Sequence, residues 1–381
     1  MGDPKKRVHL RGWFCQGNSG DDALFVTVAS ALREAAPDAI TTLRVPEHSI
    51  EPPFIDRVET ISSHHRFKGD LFLRDVRAVF GCRLLVWGGG SFLFDSDEAQ
   101  MRALRYTRFL CRIARLRRIP IVFASIGVGP FKTREGTRVA RAVLNMADLV
   151  QVRDSASYRL CRDLKIRAQV EKGFDPAVLL LDILEVSKPP RTQDAPFTIG
   201  VSLSASAESS TKQERKIESL AQAVRRVAAR IPLRVAVIQM CAHPIHDDME
   251  GCRRLTRALE GICETFPISY CPNPAEMMNA IAGLDAIIAE RLHAAVYAYS
   301  VGVPFAIVSH HGKCLAFAED VGLPNGCILD TDISPDRAEQ FLECVVTQRA
   351  EYMPSLPVEE AKDLARKARQ SLVDQIRRIV G

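Results

Sequence analysis

The tetrapeptide Glu290-Arg291-Leu292-His293 places a cation and a titratable imidazole two residues apart, and Lys313 follows twenty positions after His293. Ala286-Ile287-Ile288-Ala289 before it reads as a short buried strand and Ala294 to Val301 as a helix, so Arg291 and His293 fall at a strand-to-helix turn. In an open α/β sheet that turn lies at the carboxyl edge of the strands, where ligands collect. The helix start adds free N–H groups and a positive dipole end. An anionic substrate suits such a place. The structural alternative is a surface arginine and a capped histidine at an ordinary helix start.

Other loops carry related chemistry. Gly12 to Asp22 follows a first strand and opens a helix; its glycines allow close backbone approach, and Asn18 and Asp21 can hydrogen-bond hydroxyls. The glycine spacing around Gly17 and Gly20 is not that of a dinucleotide fingerprint. Gly88-Gly89-Gly90-Ser91 and Gly127-Val128-Gly129-Pro130 end two further strands. Singly each could be a tight turn; three on one sheet edge favour a ligand. Arg153 ends another strand, with Ser155 as the expected N-cap of the next helix, and its planar fork suits a carboxylate or phosphate. An Arg153–Asp154 ion pair is the alternative. His243-Pro244-Ile245-His246-Asp247-Asp248 reads as a loop with a capping Asp247 rather than a metal site, and the adjacent pairs His64-His65 and His310-His311 do not converge on one ion. No GxSxG elbow is present.

The elements that must position these residues alternate as βα units, which predicts a mostly parallel sheet. Strands are expected at Val8 to Phe14, Leu84 to Trp87, Ile121 to Ser125 and Leu149 to Val152, then at Thr198 to Leu203, Leu233 to Gln239, Ala286 to Ala289 and Phe305 to Val308. The fold class is therefore α/β, with two Rossmann-like doubly wound domains facing a cleft: an N-terminal domain over 1–187, a proline-containing linker over 188–196, and a C-terminal domain with terminal helices over 197–381.

A chain of 381 residues, 47% hydrophobic, exceeds what one core usually supports. The 51 basic and 46 acidic residues leave a formal charge of +5, a mild excess that gives no nucleic-acid signature. Eleven cysteines without CxxC pairs fit a reducing cytoplasm, and no apolar run approaches a membrane span. Met101 to Arg118 holds seven arginines and no acid, with Phe109, Leu110, Ile113 and Leu116 at helical spacing. That pattern reads either as a packed helix with a solvated basic face or as peripheral contact with an anionic membrane at its inner face.

The series GWFCQGNSGDDAL, VWGGGSF, SIGVGPF, QVRDSASYRL, GFDPAVLL, ERLHAAVYAYSVGVPFAIV and HHGKCLAFAEDVGLP resembles the polysaccharide pyruvyl transferase family, in order and over nearly the whole chain. The resemblance implies a GT-B-like fold. It also implies transfer of the pyruvyl group of phosphoenolpyruvate to two hydroxyls of one sugar, in a polysaccharide or a lipid-linked precursor, giving a ketal and phosphate. It places Arg153, Arg291 and Lys313 on phosphoenolpyruvate and His293 as the catalytic residue, with Asn18, Gly20, Asp21, Gly89 and Gly90 toward the cleft or acceptor, and it calls for no cofactor and no metal. Three cations match a donor with a carboxylate and a phosphate. An imidazole can protonate the methylene carbon or take a hydroxyl proton, and the sequence leaves both roles open. A nucleotide-sugar glycosyltransferase of GT-B type and a noncatalytic glycan-assembly protein remain as alternatives on the same fold.

Overall fold

The computed structural model describes residues 7–45, 51–62, 70–184, 196–204, 210–309 and 312–380. Positions 188–195 of the expected linker and the pairs His64-His65 and His310-His311 lie outside them. The chain divides into two compact units: Met1–Gln16, Asp21–Ile183 and Lys362–Gly381 form one, and Gly17–Gly20 with Leu184–Ala361 the other.

The first unit holds strands β1 (Arg7–Arg11), β2 (Ile40–Val45), β3 (Val58–Ser62), β4 (Leu84–Gly88), β5 (Ser91–Leu93), β6 (Ile121–Val128), β7 (Leu149–Val152) and β8 (Gln169–Lys172). Their order is β3-β2-β1-β4-β6-β7-β8, with β5 also on β6, and every pairing is parallel. Central strands read as continuous apolar runs because helices cover both faces: all five residues of β4 and all eight of β6 are buried. The chain leaves β1 toward β2 and β3, then returns to β4 on the other side. The β1/β4 boundary is thus the switch point of this sheet, with Leu10 in register with Val86.

The second unit holds β9 (Phe197–Ser202), β10 (Leu233–Ile238), β11 (Glu264–Ile268), β12 (Ala286–Ala289), β13 (Phe305–Val308) and β14 (Ile328–Leu329), in the order β11-β10-β9-β12-β13-β14 and again parallel. Its switch point lies between β9 and β12, where Val201 is in register with Ile288. Helix starts follow local chemistry. Asn273 caps Pro274–Ala282 by accepting from the Ala275 N–H at 3.1 Å, and Pro274 costs no helical hydrogen bond there.

Two segments group differently from the expected boundaries. Gly17–Gly20 belongs with the second unit because its backbone pairs with the loop after β10. The final helix, Val358–Val380, belongs from Lys362 onward with the first. Its buried stripe of Ala365, Ala368, Leu372, Val373 and Ile376 lies among first-unit contacts. Gln151 donates to the Ala368 carbonyl at 2.8 Å, and Lys362 and Arg366 both pair with Asp182.

Candidate functional site

In the second unit, the turn after β12 sits at the β9/β12 switch point. Glu290 ends the strand: its carboxylate accepts from the Ser204 N–H at 2.9 Å and pairs with Lys216, all three being buried. The bond to Ser204 ties the loops after β9 and β12 together, and the pair with Lys216 anchors both to helix Ser210–Ala228. Arg291 follows as the N-cap residue of helix Leu292–Val301. Its Nε donates to both carboxylate oxygens of Asp248, at 3.2 and 3.1 Å, and Nη2 donates to the His246 carbonyl at 3.1 Å. Burial opposes the charge of Arg291, yet the adjoining Asp248 carboxylate outweighs it and holds the guanidinium above its ordinary pKa. Asp248, fully buried, also accepts from the Cys241 N–H at 3.0 Å.

His293 stands one residue into that helix. Its ring packs on Gly20: a Cβ added there would lie 1.9 Å from His293 Nδ1. The Gly17–Gly20 segment is held in place by backbone and side chain alike. Ser19 N donates to Met240 O at 3.0 Å, Ala242 N donates to Gly17 O at 2.7 Å, and Asn18 forms an antiparallel bridge with Cys241. Tyr297, one helical turn beyond His293, donates its hydroxyl to the Ser19 carbonyl at 2.7 Å. Asn18 turns inward on its own segment, accepting from the Gly20 N–H at 3.1 Å. Asn18, Gly20, Arg291 and His293 therefore gather on one edge of one sheet, beside the start of helix Ser19–Ala35. Lys313 is exposed in the first turn of helix Gly312–Val321, the helix that follows β13, the next strand over.

The first unit collects the others. Arg153, at the end of β7, is only 4% exposed; Nη1 meets Asp175 at 3.1 Å and Nη2 donates to Ser91 Oγ at 3.2 Å. The expected alternative partner, Asp154, is 4.0 Å away and instead caps helix Ser155–Asp163 by accepting from the Ser157 N–H at 2.7 Å. Ser155 is thus the first residue of that helix, not its cap: the longer aspartate side chain one position earlier reaches the free N–H. Gly89 and Gly90 have positive φ, 58° and 73°, which suits glycine, and a Cβ on Gly90 would lie 3.4 Å from Asp21 Oδ1. Asp21, Gly90, Ser91 and Arg153 form a second cluster, within the first unit.

The residues expected toward the cleft or acceptor are accordingly divided, Asn18 and Gly20 counting with the second unit and Asp21, Gly89 and Gly90 with the first. Sequence patterning missed Asp175, Asp248, Glu290–Lys216 and Tyr297 as the groups that fix the site. Asp175 had a signal, lying inside the GFDPAVLL segment, and Tyr297 lies one turn from His293 on the same helix. In the His243–Asp248 loop the N-cap of helix Met249–Ala258 is Asp248 and not Asp247; Asp247, one position earlier, accepts from the Met249 N–H at 2.8 Å.

The class of fold follows from solved structures. Three that resemble this chain are a Staphylococcus aureus MnaA–UDP complex (12% identity, TM-score 0.60, 95% and 94% of the two chains covered), the UDP-GlcNAc 2-epimerase of Neisseria meningitidis bound to UDP-GlcNAc (10%, 0.59, 97% and 99%), and a glycosyltransferase from Rickettsia africae (10%, 0.53, 98% and 95%). At such identities the likeness concerns the fold, which is of GT-B type. A search of curated proteins found no match to this sequence. The model of the polysaccharide pyruvyl transferase family matches residues 18–312, well over half of the chain, and the protein belongs to that family.

Proposed function

We propose that this chain transfers the pyruvyl group of phosphoenolpyruvate to two hydroxyls of one sugar, in a polysaccharide or its lipid-linked precursor, with release of phosphate. Family membership supports the reaction class. The observation that carries the assignment of chemistry is the seat of His293: an imidazole at a helix start on the switch point of a parallel sheet, packed on a glycine whose segment is fixed by Tyr297 and Met240. His293 moves protons. Arg291 and Lys313, and Arg153 in the first unit, hold the donor's carboxylate and phosphate.

The step balances as follows. A proton goes to the donor's methylene carbon, making it a methyl group, while the first sugar hydroxyl attacks the second carbon and loses its own proton. The second hydroxyl then attacks the same carbon and its proton passes to the phosphate, which departs with the C–O bonding pair as the ketal closes. Asn18, Gly20, Asp21, Gly89 and Gly90 are assigned to the acceptor. Work on a lipid-linked acceptor would place the protein at an anionic membrane surface; among the described residues no helix is long and apolar enough to cross a membrane.

The test measures phosphate release from phosphoenolpyruvate with a panel of sugars and looks by NMR for the methyl singlet of a ketal. His293→Ala should remove nearly all turnover while calorimetry still detects the donor, because the loss falls on the transition state. Binding of nucleotide sugars with no response to phosphoenolpyruvate would overturn the reading.

A further inference from the structure

A ketal-forming enzyme must seat a pyranose, and the first unit contains a pocket that none of the residues assigned above lines. Its volume is about 380 Å³, within the range of small-molecule sites. Arg11 ends β1, Val45 ends β2 and Trp87 lies near the end of β4, so the pocket opens at the carboxyl edge beside the β1/β4 switch point.

Its walls are aromatic. Trp13 is 50% exposed, Tyr106 and Phe92 are half-buried, and Trp87 stacks on Phe92 with ring centroids 5.4 Å apart. Its polar groups are held rigidly by one carboxylate. Asp75, fully buried, accepts from Arg11 Nη1 at 2.8 Å, Arg44 Nη1 at 3.1 Å and the Tyr106 hydroxyl at 2.8 Å. The Arg11 guanidinium lies 5.4 Å from the Trp87 ring centre, and its buried Nε has no hydrogen-bond partner among the described residues. Gln16 adds an amide at the rim. A pyranose ring presents an apolar C–H face and a rim of hydroxyl oxygens. Flat aromatic walls beside pre-set donors match both, and the fixed geometry limits the ordering cost of binding.

We infer that this pocket binds a pyranose ring of the acceptor, with Trp13 as its stacking platform and Arg11, Arg44 and Gln16 reading the hydroxyls. The inference rests on the proposed transfer for its ligand class, and the binding arm of its test does not depend on turnover. Trp13 and Trp87 are the chain's two tryptophans, so intrinsic fluorescence reports on this pocket. Titration of the full chain with methyl glucopyranosides, galactopyranosides and mannopyranosides should give a saturable change for at least one sugar, whereas phosphoenolpyruvate alone should give none. Trp13→Ala should abolish that change and raise the acceptor KM about tenfold with kcat and the donor KM near wild type, and Trp13→Phe should restore most of the affinity. No fluorescence response to a sugar that turns over, a response to UDP but to no glycoside, or an unaltered acceptor KM in Trp13→Ala would each overturn the inference. Glycoside binding without any phosphate release would leave the pocket standing and remove the proposed reaction instead.

Discussion

Gly20 acts through the side chain it lacks. Because a Cβ there would fall 1.9 Å from His293 Nδ1, Gly20→Ala must push the imidazole aside. The clash also reaches the ring's Cγ at 2.3 Å, so the expected result is a kcat at least about tenfold lower together with about 1–3 kcal/mol of lost stability from overpacking. Equal kcat in the variant would show that the ring position is not critical. The three cations separate in a similar way. Arg153 neutralises buried Asp175 and Arg291 neutralises buried Asp248, so alanine at either strands a carboxylate and should lower stability by about 3–5 kcal/mol in denaturant titration. Lys313 is exposed, and Lys313→Ala should raise the KM for phosphoenolpyruvate about tenfold while leaving the urea midpoint where it was. If donor KM is untouched in Lys313→Ala, its assignment to the donor falls.

At the scale of elements, legibility followed burial. β4, β7, β12 and β13 are fully buried short runs, and they stand within a residue of their expected limits. β8 (QVEK) and β11 (ETFPI) escaped notice because edge strands need apolar residues on neither face consistently, and Pro267 interrupts the pattern of β11. The positions of Arg153, Arg291 and His293 were legible as strand-to-helix turns. Their partners were not, since Asp175 and Asp248 lie 22 and 43 residues away and no local period links them. Helix Glu98–Leu116 shows the same limit. Its core face is Met101, Leu104, Thr107, Leu110, Cys111 and Ala114, while Phe109 and Leu116, expected inside, are 39% and 85% exposed. Phe109 stacks on Phe72 with ring centroids 5.4 Å apart, which leaves Leu116 as the apolar residue beside exposed arginines on which the proposed contact with anionic lipid is tested. Arg115 is held by Asp148 at 3.2 Å, so the informative changes are Arg112→Gln, Arg117→Gln and Leu116→Gln. Binding to phosphatidylserine vesicles should be salt-sensitive and fall several-fold in the triple variant. Sedimentation with neutral vesicles to the same extent would exclude this role.

For the whole molecule, length indicated two domains and the alternation of strand and helix patterns indicated α/β, and the parallel sheets bear out the fold class, but chain order did not reveal which segments each body recruits. A linear reading assigns the last helix to the nearest unit in sequence, whereas its contacts are distant: Gln151 to the Ala368 carbonyl, Arg369 to Glu34 at 2.6 Å, and Lys362 and Arg366 to Asp182. The exposed ion pairs contribute little individually; the buried stripe of Ala365, Leu372, Val373 and Ile376 contributes more, because each large aliphatic removed from water stabilises by about 1.5–3 kcal/mol. Ending the chain after Ala361 should therefore destabilise the first unit selectively. Hydrogen exchange should show lost protection in β7 and β8, which contact this helix through Gln151 and Glu171, while β9, β10 and β12 keep theirs. Leu372→Ala, a milder version of the same cut, should cost about 2–5 kcal/mol and shift exchange in the same strands. Protection lost first in the strands of the second unit would contradict the grouping, since it would mean that the terminal helix supports the unit it follows in sequence.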